Sequence, residues 1–600
     1  MLNSTPEKQN EERLIFKKEI LVKTVLSSPF ENAEDIILSG GFSSIVKDKA
    51  EIKSPYESDT LYENEELRNA IKENRIENAV RDLRKIPNNP FLLNNLGLAY
   101  LSNKEYEKAF NAFNQAIEIK PDFIQAALNL TCLYMAKENY SSATDVLKKL
   151  LERTPNDIRV LINLGNIYFK QKKFKDAKDI YRNIVKIEPK NITSRNRLAL
   201  LNLIEGKFEE SISELRKCLQ INNNLPAIYN NLGVAYGALG ARKKAIQSFK
   251  IALNIYPHYT SAIHNLAITL RQKDILASIE LLEDYLYSKK NTKIRELLAR
   301  FYFENRQYQK ALKNLFTVLA QLKHMINCNQ EIARLHNNIG VVYHVMRDFE
   351  NARENYLTCI EKVEHINYII VGNIIDLFFD LNKINEAKKY IDIYRDKFGE
   401  KEFYLYYLSR YSYYKAKLSD SIKLMKQFLI INKNFSPAYA FLSNIYSEDL
   451  QDYKRSVALN ERAFEHLSNN KVIINNLAYN YLMNNEVNKA EIILRKVEEN
   501  IDNVYLNATR GLLNIKKDNI EEGRRLYNRA AELAGKGILH GRVIQKKHLE
   551  LAKYYFSHDQ KNRALDNLKK VFSAMKGKDT IFAKQAQKLQ EIIGTGVPSQ

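Results

Sequence analysis

One 34-residue pattern, repeated five times between Pro90 and Pro257, limits what this chain can fold into more than any other feature. The pattern reads Leu-Gly-x-x-Tyr, then Ala, then Phe four residues on, then Ala, then Pro. Leu96, Gly97, Tyr100, Ala109, Phe113, Ala116 and Pro121 fill it completely. Leu130, Tyr134, Ala143, Leu147 and Pro155 follow 34 residues later, and then Leu164, Gly165, Tyr168, Ala177, Tyr181 and Pro189. A degenerate copy keeps Leu198, Ala199, Ser211 and Leu215, and the fifth has Leu232, Gly233, Tyr236, Ala245, Phe249, Ala252 and Pro257. Self-similarity at this period predicts stacked helix–turn–helix units, none of which can bury its apolar face alone. Gly97 and Ala109 are small where helix A crosses helix B, Tyr100 and Phe113 fill the space beside the crossing, and Ala116 leaves room for the next unit. Pro121 stops helix B, because it lacks an N–H and its φ is fixed. These residues specify a fold and carry no chemistry.

The motif residues resemble the tetratricopeptide repeat (TPR) family. The resemblance implies an all-α, right-handed superhelix, an α-solenoid of about fourteen repeats with a capping segment at each end. Residues 1–60 lack the repeat and are expected to be partly disordered or docked on the first repeats. Residues 61–89, with Ala79, Leu83 and Ile86 at helical spacing, read as a capping helical pair, and 90–275 as the regular block. The phase then slips: Leu298 comes 32 residues after Leu266, and Ile339 comes 41 after Leu298. Seven added residues are about two helical turns, expected to lengthen helix B of one repeat and helix A of the next around Gln321 to Ile332. Residues 276–335 are therefore expected to be irregular, with a change of curvature. Residues 336–574 form a degenerate block with anchors at Ile374, Leu408, Leu442, Leu477, Gly511 and Leu551, and 575–600 read as a capping helix and tail.

A formal charge of +21 raises the question of nucleic acid. Lys, Asn, Ile and Tyr are abundant along the whole chain, however, and a nucleic-acid reader concentrates its charge on one face. Cys132, Cys218, Cys328 and Cys359 form no CxxC pair, and Cys218 and Cys359 fall at the small-residue position of helix B, as buried packing groups. His540 and His548 lie about two helical turns apart but lack a third ligand. No apolar window approaches the length of a membrane span, and the first 30 residues carry charges where a signal peptide needs an apolar core. The expectation is a cytoplasmic chain without cofactor or metal.

In a TPR superhelix the A helices line the concave groove, and the residue before the anchor Leu is expected to face into it. That position holds Asn95, Asn129, Asn163, Arg197, Asn231 and Asn265, and later Asn338, Asn373 and Asn476. Asn costs helix propensity relative to Ala, and its amide offers both donors and acceptors to an extended backbone. The row resembles the ladder in the TPR arm of O-linked N-acetylglucosamine transferase, which implies that extended peptides are held by their main chain. The same amides could instead bond neighbouring helices. The five-residue carboxylate clamp of chaperone-tail TPR modules is absent: Asn163 and Arg197 match it, but Leu128, Cys132 and Thr193 stand at its other positions.

A second candidate is the helix around Leu408, where the groove positions become Phe403, Tyr406, Tyr407, Arg410, Tyr413 and Tyr414. Aromatics with Arg are the composition of an interaction hot spot, and equally of residues that fill a narrow bore. No phosphate loop, nucleophile triad or paired-acid site is legible. The expected function is a non-enzymatic scaffold or adaptor binding a partner protein or extended peptide through the asparagine ladder. The alternatives are a basic solenoid associating with nucleic acid, or the regulatory arm of a separately encoded enzyme.

Overall fold

A computed structural model describes residues 89–595, apart from 103–104, 272, 324–327, 363–367, 400–402, 499–501, 536 and 575–580. The N-terminal segment 1–60, the capping residues Ala79, Leu83 and Ile86, and the tail from 596 lie outside the described residues. Within them, twenty-nine α-helices and no strand make fourteen A/B pairs and a final helix, Ile581–Thr595. The fold is an all-α TPR solenoid. Its compact units are two, one running to Val318 and the other starting at Leu319. No helix among the described residues is long and apolar enough to cross a membrane.

The repeated small residues do the work their spacing predicts. In the pair Pro90–Ser102 and Tyr106–Ile119, a Cβ on Gly97 would stand 2.5 Å from the ring of Phe113. The same closeness recurs at Gly233 against Phe249, 2.5 Å, and at Gly165 against Tyr181, 2.9 Å. Where the crossing residues are Ser409 and Ser421, the Ser409 hydroxyl donates to the Ser421 carbonyl at 2.7 Å. Cys218 and Cys359 are fully buried on helix B, as their position requires.

The turn from A to B is built by backbone more than by side chains. Glu138, Lys172, Gly206 and Gly240 occupy the same turn position with φ of 56°, 61°, 76° and 79°. The next N–H then reaches back into helix A: Asn139 donates to the Tyr134 carbonyl at 2.8 Å, and Lys173 to that of Tyr168 at 2.9 Å. This is the six-to-one bond of a Schellman motif. The sequence hides it, since glycine is only one of the residues accepted there.

The irregular spacing is absorbed unequally by the two helices, the A helix gaining about a turn and the B helix one residue. Helix Asn329–Val345 has 17 residues against the 13 of Ile158–Lys170, whereas Tyr308–Leu322 has 15 against the 14 of Phe174–Ile187. The four added residues, 329–332, include Ile332, which is buried, while Lys323 after the B helix is exposed. Burial of Ile332 stabilises the added turn of the A helix. A second 41-residue spacing, between the equivalent positions Gly511 and Ala552, is taken up in the same way by Ile538–Ser557, a helix of 20 residues.

Candidate functional site

The asparagines before each anchor are not on an open wall. Asn95, Asn129, Asn231, Asn265, Asn338 and Asn373 are buried, as is Arg197; Asn163 alone in this row is half-buried. The reason lies one residue upstream. The side chain at the row position of one repeat reaches the preceding residue's position in the repeat before it. Asn129 Nδ2 donates to Asn94 Oδ1, Asn231 to Asn196, Asn265 to Asn230 and Asn373 to Asn337, each at 2.9 Å. Thr509 Oγ1 makes the equivalent bond to Asn475 Oδ1 at 2.8 Å. These bonds tie adjacent A helices together inside the stack.

Doublets make the rungs continuous. Asn230 Nδ2 faces Asn231 Oδ1 at 3.4 Å, so an amide relay runs Asn265, Asn230, Asn231, Asn196 across three repeats. Asn337 and Asn338 repeat the step at 3.4 Å, and Asn475 and Asn476 at 3.5 Å. The legible signal was the doublet Asn-Asn before the anchor, at 94–95, 230–231, 337–338 and 475–476. A single position read by itself could not show the pairing.

Where the upstream partner is apolar, the rung fails and the side chain goes elsewhere. Leu128 stands opposite Asn163, whose Nδ2 turns back to its own helix and donates to the Arg159 carbonyl at 2.8 Å. Ile162 stands opposite Arg197, whose guanidinium lies 5.9 Å from the centre of the Phe169 ring. Burial lowers the pKa of Arg197, partly offset by Tyr181.

The aromatic helix, Phe403–Tyr414, is divided by depth. Tyr406 and Tyr407 are buried, while Phe403, Arg410, Tyr413 and Tyr414 are half-buried. Phe403 and Tyr406 both pack edge-on to Phe435, at 5.2 and 5.3 Å between ring centres. Tyr407 occupies the row position, and its hydroxyl fills the space that a Cβ on Gly372 would need. Gly372 is the upstream partner of this rung, so a Gly–Tyr pair replaces the Asn–Asn pair. Burial raises the pKa of Tyr407, with Asp376 adding to the effect. The Arg410 guanidinium lies over Phe379 at 4.6 Å and Tyr406 at 5.5 Å, and is ion-paired with Asp376. Tyr414 stacks on Phe379 at 5.1 Å, and the Tyr413 hydroxyl donates to Asp449 Oδ1 at 3.4 Å. Bulky filling accounts for Tyr406 and Tyr407. The half-buried members hold successive A helices together and remain partly exposed.

Other titratable groups are used structurally. His548 Nδ1 lies 2.8 Å from Asn567 Oδ1, and His540 Nδ1 lies 2.9 Å from the Ala531 carbonyl. The described residues hold no group of three or more His, Cys, Asp or Glu able to bind a metal. One pair escaped sequence reasoning. Lys546 Nζ sits 2.9 Å from Glu550 Oε1, and Lys553 reaches the same oxygen at 3.0 Å. Burial pushes the Glu550 carboxyl up, but the two lysines hold it down to about 2.

Family models match parts of the chain. The TPR domain of cytochrome c-type biogenesis protein H matches residues 79–195, a TPR repeat matches 203–240, and a tetratricopeptide repeat matches 226–259 and 333–361. No curated protein matches the chain significantly. Among solved structures it is similar to YrrB, described as a TPR protein with an unusual peptide-binding site. Identity there is 21%, covering 32% of this chain and 97% of that one, with a TM-score of 0.27. Cut9–Hcn1 of the APC/C is 12% identical over 78% of this chain and 96% of that one, with a TM-score of 0.45. A tetratricopeptide repeat protein from Parabacteroides merdae is 11% identical over 44% and 99%, with a TM-score of 0.35.

Proposed function

We propose that this TPR solenoid is a non-enzymatic scaffold that binds a partner protein or an extended peptide along the face formed by its A helices. The observation that carries the reading is the division of depth on helix Phe403–Tyr414. Tyr406 and Tyr407 are committed to the interior, while Arg410, Tyr413 and Tyr414 keep partly exposed edges that a ligand can cover. Rigid aromatics beside an Arg supply contact area at low entropic cost. In the asparagine row, Asn163 is the member best placed to take part: it is half-buried, and its amide is not spent on the neighbouring repeat. The remaining amides would act indirectly, by holding the A helices at fixed spacing.

Affinity capture with the full chain at moderate salt, with and without nuclease, tests this. Protein capture that survives nuclease and is lost in Tyr413→Ala/Tyr414→Ala, with an unchanged helical CD spectrum, supports the proposal. Capture that nuclease abolishes and that falls steeply with ionic strength favours the nucleic-acid reading instead, because phosphate contacts release counterions. Wild-type capture by the folded double variant removes the aromatic helix from the site.

A further inference from the structure

Helix Ser436–Asn444 runs directly into a π turn, Ile445–Asp449, and its partner is the helix Tyr453–His466. The crossing residues of this repeat are Ser443 and Ser456, 13 apart where Ser409 and Ser421 are 12 apart, because the π turn inserts one residue. Four residues beyond Ser456 comes Asn460. It holds the position that Phe113, Tyr181, Phe249 and Tyr356 fill beside the crossing in other repeats. An amide thus replaces a ring in the core, bringing two polar ends in and occupying less volume. Asn480, on the helix Lys471–Met483, faces the same place and is buried like Asn460.

The hydrogen bonds here close on one side only. Asn460 Nδ2 donates to Ser443 Oγ and to the Ser456 carbonyl, both at 2.8 Å. Asn480 Nδ2 donates to the Asn476 carbonyl at 2.7 Å and to Ser443 Oγ at 3.2 Å. Each NH2 has two hydrogens, and both are committed. The bonds to backbone carbonyls also fix which end of each amide is nitrogen, so neither group can turn over. Asn460 Oδ1 and Asn480 Oδ1 are left buried without a protein donor. Interiors rarely leave such acceptors unmet, and ordered water is the usual remedy.

We infer that the core beneath this π turn is an internal hydration site, with buried water donating to Asn460 Oδ1 and to Asn480 Oδ1. The guest must be a donor, since both open atoms are acceptors. It must be small, because both asparagines are fully buried in the packed core. It must also be neutral, since Ser443, Ser456, Asn460 and Asn480 provide no charge to balance a desolvated cation. Water meets all three conditions.

Oxygen-17 relaxation dispersion of the solvent counts long-lived internal waters in the full chain, and wild type is to be compared with Asn460→Leu/Asn480→Leu. Leucine is the residue that Leu147 and Leu215 already place at the position of Asn460. The dispersion amplitude is expected to fall by at least one water equivalent. An unchanged amplitude in a variant with wild-type helical CD overturns the inference. Should that variant not fold, a crystal structure of the wild-type chain that resolves ordered solvent decides the matter. A solvent peak within hydrogen-bonding distance of either Oδ1 atom supports the site. An absent peak, or a metal ion held by those oxygens, overturns it.

Discussion

Two stretches of the stack solve the same packing problem with different chemistry. Between Asn196 and Asn265, adjacent A helices are joined by amides in a relay with 2.9 Å steps between repeats. Between Gly372 and Tyr407, the join is steric: the upstream residue has no side chain, and a tyrosine from the next repeat fills the space. The first solution is directional, since each amide works only if its partner has the matching end free. The second depends on volume alone. The lesson is that a rung is a property of two positions taken together. The second position taken alone suggests a ligand ladder at the asparagines and a hot spot at Tyr407, whereas the two positions together show which neighbour each side chain meets.

The contrast can be broken at the crossing that both stretches share. Gly233→Leu drives a branched side chain into the Phe249 ring, 2.5 Å from where its Cβ would begin. Overpacking of this kind is expected to cost about 3 kcal/mol, read as a lower urea midpoint. A wild-type midpoint would show that the crossing is not the common frame.

A sharper test exchanges one solution for the other. Gly372→Asn collides with the Tyr407 hydroxyl and is expected to cost about 2 kcal/mol. Tyr407→Asn alone leaves a cavity, with a similar or larger loss. Combined, they rebuild an Asn–Asn rung, so the double variant should be more stable than the sum of the singles by at least ~1 kcal/mol in a double-mutant cycle. Simple additivity would mean that the two positions do not form a rung.

Single deletions should follow the map of partners. Asn265→Ala leaves Asn230 Oδ1 buried without its donor and is expected to cost ~1–3 kcal/mol. Asn163→Ala removes only a bond to its own helix, and the gain in helix propensity offsets most of that, so a change within about 0.5 kcal/mol is expected. Equal losses at both sites, measured by thermal and urea unfolding, would erase the distinction between a working rung and a failed one.

The smallest effect belongs to the turns. Ala416 holds the A-to-B turn after the aromatic helix with φ of 59°. Ala416→Gly relieves a left-handed strain of ~1 kcal/mol but loosens the unfolded chain, for a net gain of about 0.5 kcal/mol. A loss of stability would argue that the turn is held by side-chain contacts.

The 34-residue spacing by itself determined the helix pairs, their small crossing residues and the bulky residue beside most crossings, because those constraints act within one repeat and recur in register. Tertiary structure decided everything that lies between repeats. The partners of Asn129, Asn231 and Asn265 stand 35 residues upstream, one position off the repeat period, so a column read at that period never brings them together. The Lys546–Glu550 pair lies within one helix, yet its burial comes from Tyr479 and Phe582, whose rings lie 5.3 and 5.4 Å from the Lys546 ammonium. At the irregular spacing the added turn of the A helix buries Ile332, a tertiary contact that the spacing by itself does not specify. Local pattern specifies which faces are apolar and small. Which polar group meets which is set only once the helices are stacked, because a hydrogen bond needs its partner at a particular distance and angle.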